Sequence, residues 1–433
     1  MDELDPERSE QVFEDFKKAY TANQAIVEAN RCLYCSDAPC ITACPTGIDI
    51  PSFIRKISTR NTEGSARTIF ASNILGMSCS RVCPVETLCV GDCVFNEMGV
   101  PPIQIGKLQR YATDMAFEKD WTFFEAGADT GKSVGIVGGG PAGLAAAHRL
   151  RRFGHAVTIY EKRDILGGLN TFGVAPYKMR ADAALSEVEW VMSIGGITVE
   201  HGVTIPETHS WDDLLGKHEA IFLAFGLGPD TRLELPGSNL DGIVGAVDFI
   251  EDFKLKAMDL SAVKQAVVIG GGNTALDAVR ELRGLGVPEV TLAYRGAEDQ
   301  MGGYAHEWSA GKDEGVISAF NLQPVAYEGQ GQVDGLRVVR TDADKKPIPG
   351  SAHTLPAQLV VLAVGQSKLG ELVSDLDGVE TKWGRVVTTE SGQTGHPRVF
   401  AGGDCTNGGK EVVNGVAEGR DAAIAIHSMI SEA

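Results

Sequence analysis

The spacing of apolar residues divides the chain into regions of different texture. Up to about residue 128 they recur at helix spacing, in Val12, Phe13, Phe16 and Tyr20 and again in Ile54, Ile57, Ala66 and Ile69, which predicts a helical region. The polar, glycine-containing stretch EAGADTGK at 125–132 reads as a linker. From Ser133 the pattern becomes strand–helix–strand: SVGIVGGG is an apolar run ending in glycines, PAGLAAAHRLRRFG a helix, and AVTIYE a second strand. The same plan returns at Gly270, in QAVVIGGGNTALDAVRELRGLG followed by EVTLAYR. Near the C-terminus VFAGGDC (399–405) is again an apolar strand running into Gly-Gly-Asp, with a helix expected over 413–430.

Strands that alternate with helices imply parallel sheets. The expected fold class is therefore α/β: a helical domain over 1–128, then two Rossmann-like nucleotide-binding domains. The Gly-Gly-Asp strand with its following helix resembles the place where two-dinucleotide flavoproteins hold the ribityl chain of FAD, which implies that the second domain, 246–366, is inserted into the first, begun at 129–245 and completed by 367–433.

Composition narrows the function. A chain of 433 residues suffices for two or three domains, and it holds no apolar run of the ~18 residues that a membrane helix needs. The acidic start MDELDPERSEQ is unlike a secretory signal. The expectation is a soluble, cytoplasmic protein without membrane contact. A formal charge of −19 argues against nucleic-acid binding, which needs clustered Lys and Arg on the phosphates. Eight of the nine cysteines lie between Cys32 and Cys93, where they are expected in the loops between the helices, the ninth being Cys405. In a reducing compartment such clustering favours metal ligands over disulfides.

The first cysteine group spaces as C-x2-C-x4-C-x3-C-P, with Cys32, Cys35, Cys40 and Cys44; the second as C-x3-C-P-x4-C-x3-C, with Cys79, Cys83, Cys89 and Cys93. A zinc ribbon usually pairs two short C-x2-C knuckles. Here each group packs four cysteines closely and carries a Cys-Pro, as ferredoxin-type sites do. Two [4Fe–4S] clusters are the expectation, and zinc the alternative. In two-cluster ferredoxins the fourth cysteine of a run serves the other cluster. By that logic Cys44 leaves Cys32, Cys35 and Cys40 for the second site.

Gly138-x-Gly140-x-x-Gly143 follows an apolar strand and opens a helix, the setting in which this motif binds a dinucleotide. The first glycine permits a tight turn, the second lets backbone approach the pyrophosphate, and the third lets helix pack on strand. Glu161 ends the next strand, placed to accept ribose hydroxyls. The second motif, Gly270-x-Gly272-x-x-Ala275, includes Asn273 and Thr274, and its following strand ends in Tyr294-Arg295 instead of an acid. Arg295 is positioned to hold an adenosine 2′-phosphate or to stack on adenine; an ordinary surface arginine is the plain alternative.

The motifs RCLYC…CP, LGMSCSRVCP, LCVGDC, PIQIGKLQRYATD, GGGPAGLAAA, YEK…GGL, GGGNTALD and FAGGD together resemble the electron-input half of dihydropyrimidine dehydrogenase, over essentially the whole chain. In bacteria that half is a separate small subunit. The glutamate synthase small subunit shares most of these motifs, and a bifurcating transhydrogenase subunit is a third relative. The resemblance implies one cluster on Cys32, Cys35, Cys40 and Cys93. It implies another on Cys44, Cys83 and Cys89, completed by Gln109 in place of a cysteine, with Cys79 left out. Glutamate synthase relatives typically have a glutamate where Gln109 stands, which favours the pyrimidine enzyme. FAD is implied at Gly138, Gly139, Gly140, Pro141, Ala142, Glu161, Gly168, Leu169 and Lys178, with Gly403 and Asp404 at its ribityl side. NAD(P)H is implied at Gly270, Gly272, Asn273, Thr274, Ala275 and Arg295.

One departure bears on the nucleotide. Relatives that use NADPH carry further basic residues after the position of Arg295, whereas this chain reads RGAEDQMGG, with Glu298 and Asp299 nearby. The expectation is NADH, with NADPH possible. The implied chemistry is hydride transfer from nicotinamide to FAD, then one-electron steps through the clusters to a partner, an FMN- and iron–sulfur-containing pyrimidine-reducing subunit, in a hetero-oligomer. Such hydride transfer needs alignment of two rings more than a protein acid or base, so no catalytic acid is expected. A disulfide reductase would need a redox C-x-x-C near the flavin, and no cysteine lies between Cys93 and Cys405. A cluster-bearing scaffold that binds nucleotides as regulators is the non-enzymatic alternative.

Overall fold

The computed structural model describes residues 4–432. Six helices build the N-terminal unit: α1 (Ala22–Ala29), α2 (Pro39–Thr42), α3 (Ile50–Ser58), α4 (Thr62–Ser72), α5 (Gly76–Val82) and α6 (Ile105–Glu118). Three of them start on side-chain caps, Thr21, Asp49 and Asn61, which take up amide hydrogens that a first turn leaves unpaired. The predicted stripe is realised, since Phe53, Ile54 and Ile57 of α3 are buried with Ala66, Ile69 and Phe70 of α4.

Two expectations for this unit change. Cys40 and Cys79 lie inside α2 and α5, not in loops. The segment carrying Val12, Phe13, Phe16 and Tyr20 is helical only in a 3-10 turn at Ser9–Val12, and runs without regular structure from there to Thr21. Its backbone partners are distant: Ser9 N–H donates to Lys256 at 3.0 Å and Phe16 N–H to Tyr177 at 3.0 Å. Phe13 packs on Phe253 while Val12 stays exposed. A strap drawn across three units uses tertiary hydrogen bonds where a helix would use its own.

Beyond the linker the chain enters β1 (Ser133–Val137), α7 (Pro141–Arg152), β2 (Ala156–Tyr160), α8 (Leu169–Phe172), α9 (Ala181–Met192), β3 (Ile197–Glu200), α10 (Trp211–Lys217) and β4 (Ala220–Leu223). It continues through β5 (Ile243–Gly245), α11 (Ala246–Leu255), β6 (Gln265–Ile269), α12 (Asn273–Gly284), β7 (Glu289–Tyr294), α13 (Ala305–Asp313) and β8 (Ile317–Phe320). After β9 (Leu322–Gln330), β10 (Gln332–Arg340), β11 (His353–Pro356), β12 (Leu359–Leu362) and the short β13 (Thr381–Lys382) and β14 (Arg385–Val386), it ends in β15 (Val399–Ala401), α14 (Asp404–Asn407) and α15 (Val412–Glu432).

These strands make two parallel five-stranded sheets, ordered β15-β4-β1-β2-β3 and β5-β12-β6-β7-β8. The first sheet is thus discontinuous in sequence, and β15 completes it beside β4, Val399 opposite Ile221. The border differs slightly from 245/246: β5, at 243–245, pairs with β12 in the second sheet, because its register runs Ile243 opposite Val360. An antiparallel layer, β11-β10-β9, flanks the second sheet.

The helical unit is fastened to the first sheet's unit through a buried carboxylate. Glu187 of α9 accepts N–H bonds from Met77 (2.8 Å) and Ser78 (2.9 Å) at the start of α5, and the Ser78 hydroxyl as well. Burial raises its pKa to about 7 against the lowering effect of those donors. Asn170 of α8 donates to the same Ser78 hydroxyl at 2.9 Å. Glu187→Ala leaves two buried amides and a hydroxyl without their acceptor, and lowers unfolding free energy by about 3 kcal/mol; an unchanged urea midpoint would show that this contact does not hold the units together.

Candidate functional site

The first turn of α7 is the point on which the predicted residues of the first sheet converge. Gly138 has φ +106°, and a Cβ there would lie 2.4 Å from the Ala224 carbonyl, so only glycine makes this turn. A Cβ on Gly143 would meet the Gly138 carbonyl at 2.0 Å, which is the close helix–strand approach expected of the third glycine. Glu161, one residue beyond β2, accepts the Gly139 N–H at 2.7 Å and stands at the mouth of the turn. The Gly168–Leu169 turn crosses over Gly140, since a Cβ on Gly168 would lie 3.0 Å from the Gly140 Cα. Gly403, with φ +79°, brings the β15 end against Ala142, and Asp404 follows it. Asp404 is held above the usual carboxylate range by burial and by Glu418. Glycines where a Cβ would clash, amides of a helix start and a carboxylate at the neighbouring strand end fit a dinucleotide's pyrophosphate and ribose.

A second cradle lies at the start of α12. No heavy atom stands within 4 Å of a Cβ built on Gly272, Ala275 is fully buried, and Thr274 is exposed. Asn273 Oδ1 accepts the Tyr304 N–H at 2.9 Å, which closes the loop before α13 over this turn. The two cradles are clasped together. Lys178 Nζ lies 2.8 Å from both Asp277 of α12 and Glu307 of α13, and Tyr304 donates to Glu411 at 2.8 Å. Burial alone would lower the Lys178 pKa, but Asp277 and Glu307 outweigh it and raise it. Lys178, expected by resemblance at FAD, is thus engaged by the opposite unit.

Arg295 is exposed, just past β7, and the Thr341 hydroxyl donates to its carbonyl at 2.9 Å. That bond brings the β10–β11 turn alongside. Lys345 in this turn sits 5.8 Å from the Tyr294 ring centroid, and its Cε would be 3.0 Å from a Cβ on Gly296. Glu298 meanwhile faces elsewhere, accepting from Trp308 at 2.7 Å and pairing with Lys312 at 2.7 Å. Sequence reading missed Lys345 because it lies 50 residues beyond Arg295 with no motif around it.

The cysteines separate into two neighbourhoods that cross the sequence groups. Cys32, Cys35, Cys40 and Cys93 line one apolar pocket, together with Ile54 and Ile105. Burial, then Cys32, Cys93 and Cys35, push the Cys40 thiol up to about 12. Thiols crowded this way ionise poorly unless a metal takes up their charge, which fits a ligand set. Among the described residues no three His, Cys, Asp or Glu side chains close on one point as a single ion requires; a four-iron cluster takes its ligands around a larger body. In the second neighbourhood Cys79, burial and then Cys44 act on Cys83, while burial, then Cys83 and Cys44, raise Cys89. Cys83 caps the C-terminal end of α5 with Cys79 one turn before it. Gln109 is buried on α6, its amide nitrogen donating to the carbonyl of Gly76, at the opposite end of α5 from Cys83, at 2.8 Å.

The second neighbourhood faces the first cradle. Asn170 follows Gly168 and Leu169 directly and bonds Ser78, next to Cys79, while Lys17 Nζ donates to the Cys83 carbonyl at 2.9 Å. Cys83 and Cys89 are buried, whereas Cys32, Cys35 and Cys40 are half-buried.

Comparison with known proteins agrees with this division. Residues 8–121 match the family described as dihydropyrimidine dehydrogenase domain II, 4Fe-4S cluster, and residues 132–419 match the pyridine nucleotide-disulphide oxidoreductase family. The chain is 33% identical over 443 residues to the glutamate synthase [NADPH] small chain of Escherichia coli, covering 95% of this chain and 92% of the relative. It is 34% identical over 421 residues to the NAD-dependent dihydropyrimidine dehydrogenase subunit PreT of the same organism, covering 97% and 98%. Among solved structures, Mycobacterium tuberculosis FprA in complex with NADPH superposes with TM-score 0.57 at 21% identity, over 70% of this chain and 85% of that one. The thioredoxin reductase of T. acidophilum gives TM-score 0.57 at 21% identity, over 70% of this chain and 100% of that one. These two share the fold.

Two substitutions separate the candidate fourth ligands of the second neighbourhood. With Gln109 as ligand, Cys79→Ser keeps the full iron content and Gln109→Ala changes the paramagnetic resonance spectrum or potential of one cluster. Loss of about four irons in Cys79→Ser, with Gln109→Ala silent, assigns the position to Cys79.

Proposed function

Because this chain belongs to the family of the glutamate synthase small chain and the dihydropyrimidine dehydrogenase subunit, whose members join a 4Fe-4S domain to a pyridine nucleotide oxidoreductase domain, we propose that it is the electron-input subunit of a dihydropyrimidine dehydrogenase. It oxidises NAD(P)H and passes electrons to an FMN- and iron–sulfur-containing partner that reduces uracil or thymine, or runs the reverse. One observation carries this reading: Asn170, directly after the Gly168–Leu169 turn of the first nucleotide cradle, bonds Ser78 beside the buried Cys79, while Cys32, Cys35 and Cys40 of the other group are half-buried. When bound, FAD supplies two-electron hydride chemistry and the clusters supply one-electron steps.

The chain's own residues have positioning roles. The α7 and α12 turns align two dinucleotides, and the Lys178 clasp with Asp277 and Glu307 holds the two cradles in register. Gln109 favours the pyrimidine enzyme over a glutamate synthase partner, where the resemblance leads one to expect glutamate. The chain with its partner is expected to form a hetero-oligomer.

The test is a purified chain assayed with and without its partner. Alone it carries FAD and about eight irons, its flavin absorbance bleaches on anaerobic addition of NADH, and uracil is not reduced. With the partner, NADH oxidation becomes uracil-dependent. Stoichiometric zinc, or a glutamine- and 2-oxoglutarate-dependent rate with a large amidotransferase chain instead, would defeat the assignment.

We further propose NADH as the preferred donor, with Lys345 as the residue that admits NADPH. Glu298 is engaged with Trp308 and Lys312, so the repulsion expected around Arg295 is less than its sequence suggests. In dye-linked assays kcat/KM is greater with NADH. Lys345→Ala lowers kcat/KM for NADPH about fivefold through KM, roughly one charge-assisted contact, and leaves NADH unchanged. Equal loss with both donors would remove Lys345 from the 2′-phosphate.

A further inference from the structure

A second feature lies away from both cradles, where α4, α7 and α15 meet. Ser72, His148, Arg149, Arg152 and Arg420 line a cleft there. In a chain of formal charge −19 this is a local excess of cations. Arg149 is held down to about 10, first by burial and then by Arg152 and Arg420, with Asp421 opposing. Arg152 is lowered by burial and then by Arg67, an exposed residue of α4. His148 is pushed down to about 3 by burial, Arg152 and Arg149, so it is a neutral donor or acceptor there.

The carboxylate of Asp421 relieves this crowding only in part, because it already takes two bonds from Arg420, at 2.7 and 3.2 Å. Arg420 is otherwise fixed to the Thr46 and Ser72 carbonyls at 2.7 and 2.9 Å. Arg149 gives one N–H to the Ala71 carbonyl at 3.2 Å. The Arg152 guanidinium is laid on the Phe124 ring, 4.1 Å from its centroid, which orients its edge without neutralising it. Among the described residues the guanidiniums of Arg67, Arg149 and Arg152 thus act on one another without an ion pair to a carboxylate. Mutual repulsion of half-buried arginines costs stability, and planar forks of this kind match the oxygens of a phosphate.

We propose that this cleft is a binding site for a phosphate group, held by Arg149 and Arg152 with Arg67 at its rim, which joins the helical unit to α7 and α15. The group is either free inorganic phosphate or the phosphate of a small metabolite whose remainder lies in solvent beyond Ala71, itself exposed. The site is independent of the electron path, so its test does not depend on the identity of the partner.

The loaded protein is melted in chloride, inorganic phosphate and AMP at matched ionic strength, and phosphate binding is measured by calorimetry. The expected result is a melting temperature several degrees higher in phosphate than in chloride. Arg152→Gln, with unchanged FAD and iron content, melts at or above the wild type in chloride, since one repelling charge is gone, and binds phosphate at least about tenfold more weakly, one charge-assisted contact. Arg337→Gln, at an exposed pair with Glu328, keeps the phosphate shift. A further rise with AMP over phosphate that Arg152→Gln removes identifies a nucleotide-type source, since a rise that Arg152→Gln keeps belongs to the α12 cradle; no further rise, or one that Arg152→Gln keeps, identifies the free ion. Equal melting in chloride and phosphate, or a shift that Arg152→Gln and Arg337→Gln reduce alike, overturns the site.

Discussion

Everything in this molecule depends on holding one group of thiols rigidly against a nucleotide-binding turn. Single electrons pass only between centres kept close, and two units joined by a few side chains drift unless their contact is determined. The determining contact is Glu187, a carboxylate with no exposure that accepts donors at the start of α5. Its three bonds require α9 and α5 to sit in one relation, and α5 carries Cys79 and is capped by Cys83. Asn170 couples the same point to the turn that crosses Gly140. A hydrophobic contact of equal area would tolerate sliding; a buried charge with aimed donors does not.

The second sheet's unit is joined by different means. Lys178 is inserted between Asp277 and Glu307, and the N-terminal strap reaches all three units, from Lys256 to Tyr177 to Cys83. Interfaces between units of one chain are more polar than cores and permit relative motion. A clasp made of exchangeable ion pairs therefore suits a unit that must receive and release a nucleotide, whereas the thiol unit is locked by groups with no exposure at all.

Charge is distributed with the same economy of place. An acidic surface keeps the protein solvated, yet cations gather at three positions: beside Arg295, at the Lys178 clasp, and in the arginine cleft between α4, α7 and α15. Each adjoins a place where the fold leaves room for, or already faces, negative charge.

Much was legible in the sequence because local patterns specify local structure. The glycine turns at Gly138 and Gly270 come with a strand before and a helix after, and β1, α7, β6 and α12 stand where the apolar spacing puts them. A split first sheet was readable too, but through the resemblance of VFAGGDC and its following helix to a flavoprotein's ribityl site, and β15 does pair with β4. What the sequence left open were relations between distant segments. Helix spacing in Val12–Tyr20 was misleading because tertiary hydrogen bonds at Lys256 and Tyr177 outbid the helical ones. The regrouping of Cys93 with Cys32, Cys35 and Cys40 was suggested by resemblance, but only the packing of α2, α3 and α6 around one pocket places the four together. Lys345 and the arginine cleft carry no motif at all. They arise where turns and helices far apart in the chain converge, and spacing along a sequence holds no information about distance across a fold.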